Sequence, residues 1–233
     1  MENPPRPLRR SRAANTVIRR QQLIDATIES VSLVGFSETT LAKVASIAGL
    51  SQGVVVFRFG TKEQLLIETL KFLADEYKEA WSTALGESGS DPVNRLCAIV
   101  AADFHPKLVN KKKLSVWHSF YGEAKAHPIY MDICETRDQE HEAVLHQVLG
   151  EVAAAEGCRK FDTALAAAVI EGLSDGLWLQ MLMSRPDYDR NAALDVMFHQ
   201  LQGLLPDHLE QIARYRQDNT KPPTKVGRRK RIA

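Results

Sequence analysis

The chain has 233 residues, 44% hydrophobic and 25% charged, enough for one large or two small domains with a proper core. Cys97, Cys134 and Cys158 are odd in number and lack metal-ligand spacing, which argues against a disulfide framework and for a reducing cytosol. No apolar run approaches the roughly 18–20 residues of a membrane span, and the opening MENPPRPLRRSRAAN lacks the apolar centre of a signal peptide, so a cytoplasmic protein without membrane partners is expected.

The net charge of +1 conceals an asymmetry. Residues 1–20 carry six arginines against Glu2, and residues 221–233 carry six bases and no acid. That leaves 18 basic and 28 acidic residues between them, so the body is acidic and both ends are basic. Basic arms suit phosphate backbones. The C-terminal tail reads equally well as a solubilising arm.

Residues 1–14 hold Pro4, Pro5 and Pro7 and read as a disordered arm. A helix begins near Asn15 or Thr16, with Ile24, Ile28, Val31 and Val34 at helical spacing and Gly35 as its stop. Phe36 turns the chain back towards the same core. Thr39 or Thr40 caps a second helix whose Leu41, Val44, Ala45 and Ala48 mark a buried face. Gly49 permits a turn, Leu50 plugs it and Ser51 caps a third helix over residues 52–57. There Val54, Val55, Val56 and Phe57 favour a strand by propensity alone, but two short capped helices joined through a glycine make a compact unit that a lone strand cannot complete.

Thr61 and Gln64 form a capping box that opens a long helix through Leu66, Leu70, Leu73, Tyr77 and Trp81. After the GESGS break at residues 86–90, Asp91-Pro92 starts a helix whose stripe runs to Phe104 and Leu108. Residues 111–126 form another, and a further one runs from Pro128 to Gly157. Residues 161–184 are apolar almost all round, as in a helix buried on several sides. Arg185-Pro186 stops it, residues 189–205 are amphipathic, and a short helix runs on to Arg216.

A basic arm, short capped helices around a glycine turn and a lysine at the next helix start point to helix-turn-helix DNA binding. In such units the second short helix enters the major groove. Gln52 suits adenine, Val54 or Val55 a thymine methyl, and Gly53 and Phe57 share that surface. Arg19 and Arg20 early in the first helix, Thr39 or Thr40, Ser51, Arg58 and Lys62 would serve phosphates.

The stretch IDATIESVSLVGFSETTLAKVASIAGLSQGVVVFRFGTKEQLL resembles the N-terminal domain of TetR-family regulators in its Gly-Phe turn, threonine cap, Gly-x-Ser-x-Gly and Phe-x-x-Lys-x-x-Leu. It departs at Val56, Phe57 and Arg58, where the family commonly has tyrosine or histidine; a tyrosine-to-phosphate bond is then missing, and Arg58 stands in. KLSVWHSFYGEAKAHPIY and VIEGLSDGLWLQ are similar to segments of the choline-responsive, BetI-like repressors. That resemblance implies a helical ligand-binding body and a homodimer formed through residues 161–184 and 189–205. It also implies a small-molecule effector, with a quaternary amine the class to test. Trp117, Phe120, Tyr121 and Trp178, with Tyr130, offer aromatic faces for such a cation, and Asp103, Glu123 or Asp175 offer charge. Aromatics at helical spacing equally make a core.

His141-Glu142 and His146 resemble a zinc-protease motif with one residue too many, which puts the histidines roughly 140° apart on a helix. Cys134, Asp138 and His141 share a helical face, but no base-orienting partner or oxyanion device accompanies them. No glycine-rich phosphate loop is present, so no catalysis, cofactor or metal is expected. The sequence therefore reads as all-α: arm 1–14, three-helix DNA-binding domain 15–62, helical regulatory and dimerisation domain 63–217, and basic tail 218–233. The partner is double-stranded operator DNA, bound by a ligand-responsive repressor dimer. The alternatives are the same build sensing another small molecule, such as a lipophilic drug or metabolite, or an all-α enzyme or ligand carrier.

Overall fold

The computed structural model describes residues 12–155, 162–184 and 189–219, and these are helix and turn with no strand among them. The helices are α1 (Arg12–Glu38), α2 (Leu41–Ile47), α3 (Gln52–Phe59), α4 (Lys62–Glu87), α5 (Pro92–Ala102), α6 (Lys111–Ala124), α7 (Pro128–Ala155), α8 (Thr163–Met183), α9 (Arg190–Leu204) and α10 (Leu209–Asn219). A 3-10 turn, Pro206–His208, precedes α10. Residues 1–11 of the expected arm, the expected stops at Gly157 and Arg185-Pro186, Cys158 and the tail from 220 lie outside the described residues.

The described residues fall into two compact units: those up to Glu76 with Asn110–Thr136, and Tyr77–Val109 with those from Arg137 onward. In the first, α1 does not stop at Gly35 but bends there, with φ 84°, a conformation that glycine adopts without strain. Ile24, Ile28 and Val31 are buried as their spacing requires, whereas Val34 is left exposed beside the bend. Thr40 caps α2, its hydroxyl accepting from Lys43 N at 3.2 Å. Gly49, at φ 63°, carries the chain through a turn of 116° between the α2 and α3 axes.

Val55 and Phe59, four residues apart, bury against Leu23, Ala26, Val44, Ala45, Ala48 and Leu65. That packing outweighs the strand propensity of the valines, so α3 is a helix and runs two residues beyond the expected Phe57. Gln22 Nε2 donates to Ala48 O at 2.6 Å, tying α1 to the end of α2. The capping box at Thr61 is half formed: Gln64 N donates to Thr61 Oγ1 at 3.1 Å, while the Gln64 amide turns to Glu68. α6 packs along α1, with Phe36 edge-on to Phe120 and Tyr130 at centroid distances of 5.4 and 5.9 Å.

In the second unit α10 packs on α5 and α9, and α8 on α9. Leu96, Ile99, Leu145, Leu194, Leu201 and Ile212 are fully buried there. α8 turns Ile170, Leu177 and Trp178 inward, yet leaves Leu165, Val169, Leu179 and Met183 exposed. By length and composition α8 is the one described helix that could cross a membrane, although it carries Glu171 and Asp175; a core helix passes the same test.

Leu23→Ala, which empties a site at the centre of the first core, is expected to cost about 2–5 kcal/mol in urea unfolding. Phe57→Ala, at a side chain 91% exposed, is expected to change stability by no more than about 0.5 kcal/mol. Equal losses for the two would contradict the assignment of α3's buried and outward faces.

Candidate nucleic-acid interface and effector cavity

Two faces of α3 decide what it can do. Val55 and Phe59 point into the core, while Gln52, Gly53, Val56 and Phe57 are exposed and Val54 is half-buried. The outward set carries one amide, one gap without a side chain, and two apolar groups. It can read a base edge through Gln52 and a methyl through Phe57 or Val56. Val55, expected to touch a thymine methyl, is 0% exposed and cannot, because its methyls fill the space between α1 and α2.

The expected phosphate contacts divide in the same way. Thr40 and Ser51 are exposed, and Ser51 occupies the cap position of α3 without a side-chain cap hydrogen bond. Thr39 is 1% exposed; its hydroxyl donates to Gly35 O at 2.8 Å and lies 3.1 Å from Ser30 Oγ, so it braces the bend and cannot reach DNA. Lys62 also has internal work. Its ammonium donates to Phe36 O at 3.0 Å and Ser37 O at 2.9 Å and sits 5.7 Å from the Phe36 ring centroid. A cation at the carbonyl end of α1 is favourable, which offsets its unfavourable place in the first turn of α4. Arg19 is exposed, whereas Arg20 is held by Glu68 at 2.7 Å. Arg58 closes α3 with its Nε buried and without a hydrogen-bond partner.

Of the four aromatics expected to line a pocket, Trp117, Phe120 and Tyr121 belong to the first unit and Trp178 to the second. Trp117 and Phe120 are buried in the first unit, where Phe120 packs edge-on to Phe36 and Tyr130. Tyr121 stacks on Trp117 at 6.3 Å. Trp178 belongs to the second unit and meets Tyr77 edge-on at 5.9 Å.

In that second unit a different set converges. Asp103, at the end of α5, is buried and accepts hydrogen bonds from Tyr77 OH and Ser174 Oγ, each at 2.8 Å. Its backbone oxygen accepts from Trp178 Nε1 at 3.1 Å. His141 Nε2 lies 3.4 Å from Asp103 Oδ1, and the ring is 5.4 Å from Tyr77. Around them opens a cavity of about 190 Å³, lined also by Arg137, Asp138, Glu142, Glu171 and Asp175. Arg137 lies over the Tyr77 ring at 5.0 Å and donates from Nε to Asp138 Oδ1 at 2.7 Å.

Burial alone would raise the Asp103 carboxyl, but the His141 charge and the hydroxyl hydrogen bonds hold it below the usual carboxylate value. Burial likewise opposes the charge on His141, and the Asp103 carboxylate outweighs it, lifting the imidazole above its usual value. Burial and the neighbouring Glu142 raise Glu171. Asp103 had been singled out in the sequence for its charge. Tyr77 read only as a core residue, Arg137 gave no signal, and His141 drew notice through a motif that the structure does not use. His146 pairs instead with Glu142 at 3.6 Å, and no group able to hold a metal ion occurs among the described residues.

Residues 23–69 match the family described as bacterial regulatory proteins, tetR family, and residues 92–206 match the BetI-type transcriptional repressor C-terminal family. The HTH-type transcriptional regulator BetI of Burkholderia cenocepacia strain HI2424 is 33% identical over 184 residues, 76% of this chain and 89% of that protein. The protein of the same name from Stenotrophomonas maltophilia strain R551-3 is 31% identical over 163 residues, 70% of this chain and 81% of that protein. Among solved structures, the fatty acid degradation regulator FadR of Bacillus halodurans superposes with TM-score 0.64 at 22% identity, covering 83% of this chain and 96% of that one. A candidate transcriptional regulator from Saccharomonospora viridis, solved in complex with choline, superposes with TM-score 0.68 at 18% identity, covering 83% and 96%.

The Asp103–His141 pair makes stability depend on pH. His141 is raised from an ordinary value of 6.5, so its contribution is complete below that pH and is lost as pH rises through the higher folded value. Asp103 is lowered from 3.8, so its contribution is complete above that pH and is lost as pH falls through the lower folded value. The pair should therefore stabilise most between about pH 4 and 6.5. Urea midpoints at fixed salt are expected to fall above that window in the parent chain, and this alkaline arm is expected to flatten in His141→Gln.

Proposed function

The chain belongs to the tetR family of bacterial regulatory proteins, with a BetI-type C-terminal domain, and is a DNA-binding transcriptional repressor; from that premise we propose how its own residues carry the task. Two copies pair through α8 and α9, and each presents α3 to one half of a palindromic operator in successive major grooves. Gln52, Gly53, Val56 and Phe57 read the bases, with Val54 at the margin. Arg19, Thr40, Ser51 and Arg58 approach phosphates. The observation that carries this reading is the 116° turn between α2 and α3, with an uncharged, outward α3 face beyond it.

Pairing through α8 is supported by Leu165, Val169, Leu179 and Met183, a set of apolar side chains that one copy leaves in water. The effector is a small quaternary amine, and its binding favours a head spacing that does not fit the operator. Such a shift needs only a differential affinity for the two states. The carboxylates around the second unit's cavity support a cation over a lipophilic ligand, and the resemblance of the body to choline-responsive repressors runs the same way. A regulator of this kind acts on the chromosome, in the cytoplasm.

A gel shift with the region upstream of the chain's own gene tests the whole reading. The shift is expected at low salt and should weaken steeply between about 50 and 200 mM salt. Phe57→Ala and Gln52→Ala should each weaken specific binding by roughly tenfold, as loss of a base contact does. Leu179→Glu should give a monomer in sedimentation and lose the shift. A dimer that survives Leu179→Glu together with Val169→Glu would remove α8 from the interface.

A further inference from the structure

The cavity in the second unit is built around a cation that the chain itself supplies. Arg137 is 9% exposed, and its guanidinium lies 5.0 Å from the centre of the Tyr77 ring. That is the place a ligand cation takes when it binds an aromatic face, within about 6 Å of the centroid. Five carboxylates line the cavity against Arg137 and His141. His141 Nε2 also lines the cavity, 3.4 Å from its ion-pair partner Asp103 Oδ1, in a side chain 8% exposed. That contact is long for a hydrogen bond, so the ring N–H can also donate to a polar group that enters. The volume, about 190 Å³, is that of about six waters, the size of a small organic cation.

We propose that this cavity is the effector seat, that it takes a small organic monocation carrying one hydrogen-bonding group, and that Arg137 holds the cation's place over Tyr77 until the effector displaces it. The ligand's charged head replaces the guanidinium on the ring and is neutralised by the surrounding carboxylates. Its polar end meets His141 Nε2. Arg137 is paired with Asp138, whose side chain is 49% exposed, so its network opens to water on that side. The effector is thus selected by competition with an internal group. Cations bound more weakly than Arg137 are refused even though the seat is acidic. This rests on the quaternary-amine reading above and gives it a location and a threshold.

The test is calorimetric titration of the full chain with choline chloride, tetramethylammonium chloride and 3,3-dimethylbutan-1-ol, the uncharged isostere of choline. Choline and tetramethylammonium should bind, choline the tighter, and the neutral alcohol should bind at least tenfold more weakly than choline. Arg137→Gln should tighten both cations several-fold. Lys78→Gln removes the same charge from an exposed pair with Glu140, outside the cavity lining, and should leave the affinities unchanged. Tyr77→Leu should weaken cation binding at least tenfold. Tyr77→Phe keeps the ring without the hydroxyl on Asp103 and should retain it, which separates loss of the seat from loss of the fold. An Arg137→Gln chain that binds the cations no better than the parent, or a neutral isostere that binds as well as choline, overturns the proposal. If no cation binds while the operator gel shift persists, the seat is refuted and the regulator stands; if the shift is absent as well, the functional reading itself falls.

Discussion

A carboxylate shut away from water must be met on every side or it will take up a proton, and Asp103 is such a group. Tyr77 comes to it from α4, His141 from α7 and Ser174 from α8, while Trp178 of α8 donates to the Asp103 backbone oxygen. The end of α5 is held from a further side by Arg190 of α9, which donates to Phe104 O at 2.9 Å. One side chain therefore fixes the mutual placement of most of the second unit's helices. Removing any single partner would leave a buried charge short of a bond, at a cost well above that of a surface pair. The same constraint makes the neighbourhood polar and acidic, and a cavity is found beside it.

The architecture of the first unit was readable because its signals are local. A cap, a glycine with positive φ and a stripe at helical spacing each act within a few residues. The succession of Thr40, Gly49, Ser51 and Thr61 was enough to place α2, α3 and the start of α4. What sequence reasoning missed there was direction. Thr39 and Thr40 are alike as letters, and only the bend at Gly35 decides that the first faces Ser30 and the second faces water. Val54, Val55 and Val56 are identical in kind. Their division follows from the angle at which α3 lies on Leu23 and Val44, which is a tertiary fact. Lys62 looked free because its partners, the carbonyls of Phe36 and Ser37, precede it by about two dozen residues.

The second unit hid its site more thoroughly. Tyr77, Asp103, His141 and Ser174 sit on four helical segments, and no spacing rule links them. The hint that did exist was polar letters on apolar stripes: Asp103 just before Phe104, and His141 on the buried side of α7. The aromatic pattern was ambiguous for the opposite reason. Trp117 and Phe120 fit a ligand box and a core equally by type; both are buried, and Phe120 packs edge-on to Phe36 of α1.

Phe57 has a consequence for how affinity and discrimination are divided. A ring kept in water does nothing for the folded head, and it gives up its hydration only when a surface closes over it. Recognition through such a group leaves a heat-capacity signature, whereas contacts to phosphate respond to ions. With Phe57 reading bases as proposed, the two would be varied separately: ionic strength would tune how firmly any DNA is held, and temperature how well one sequence is told from another.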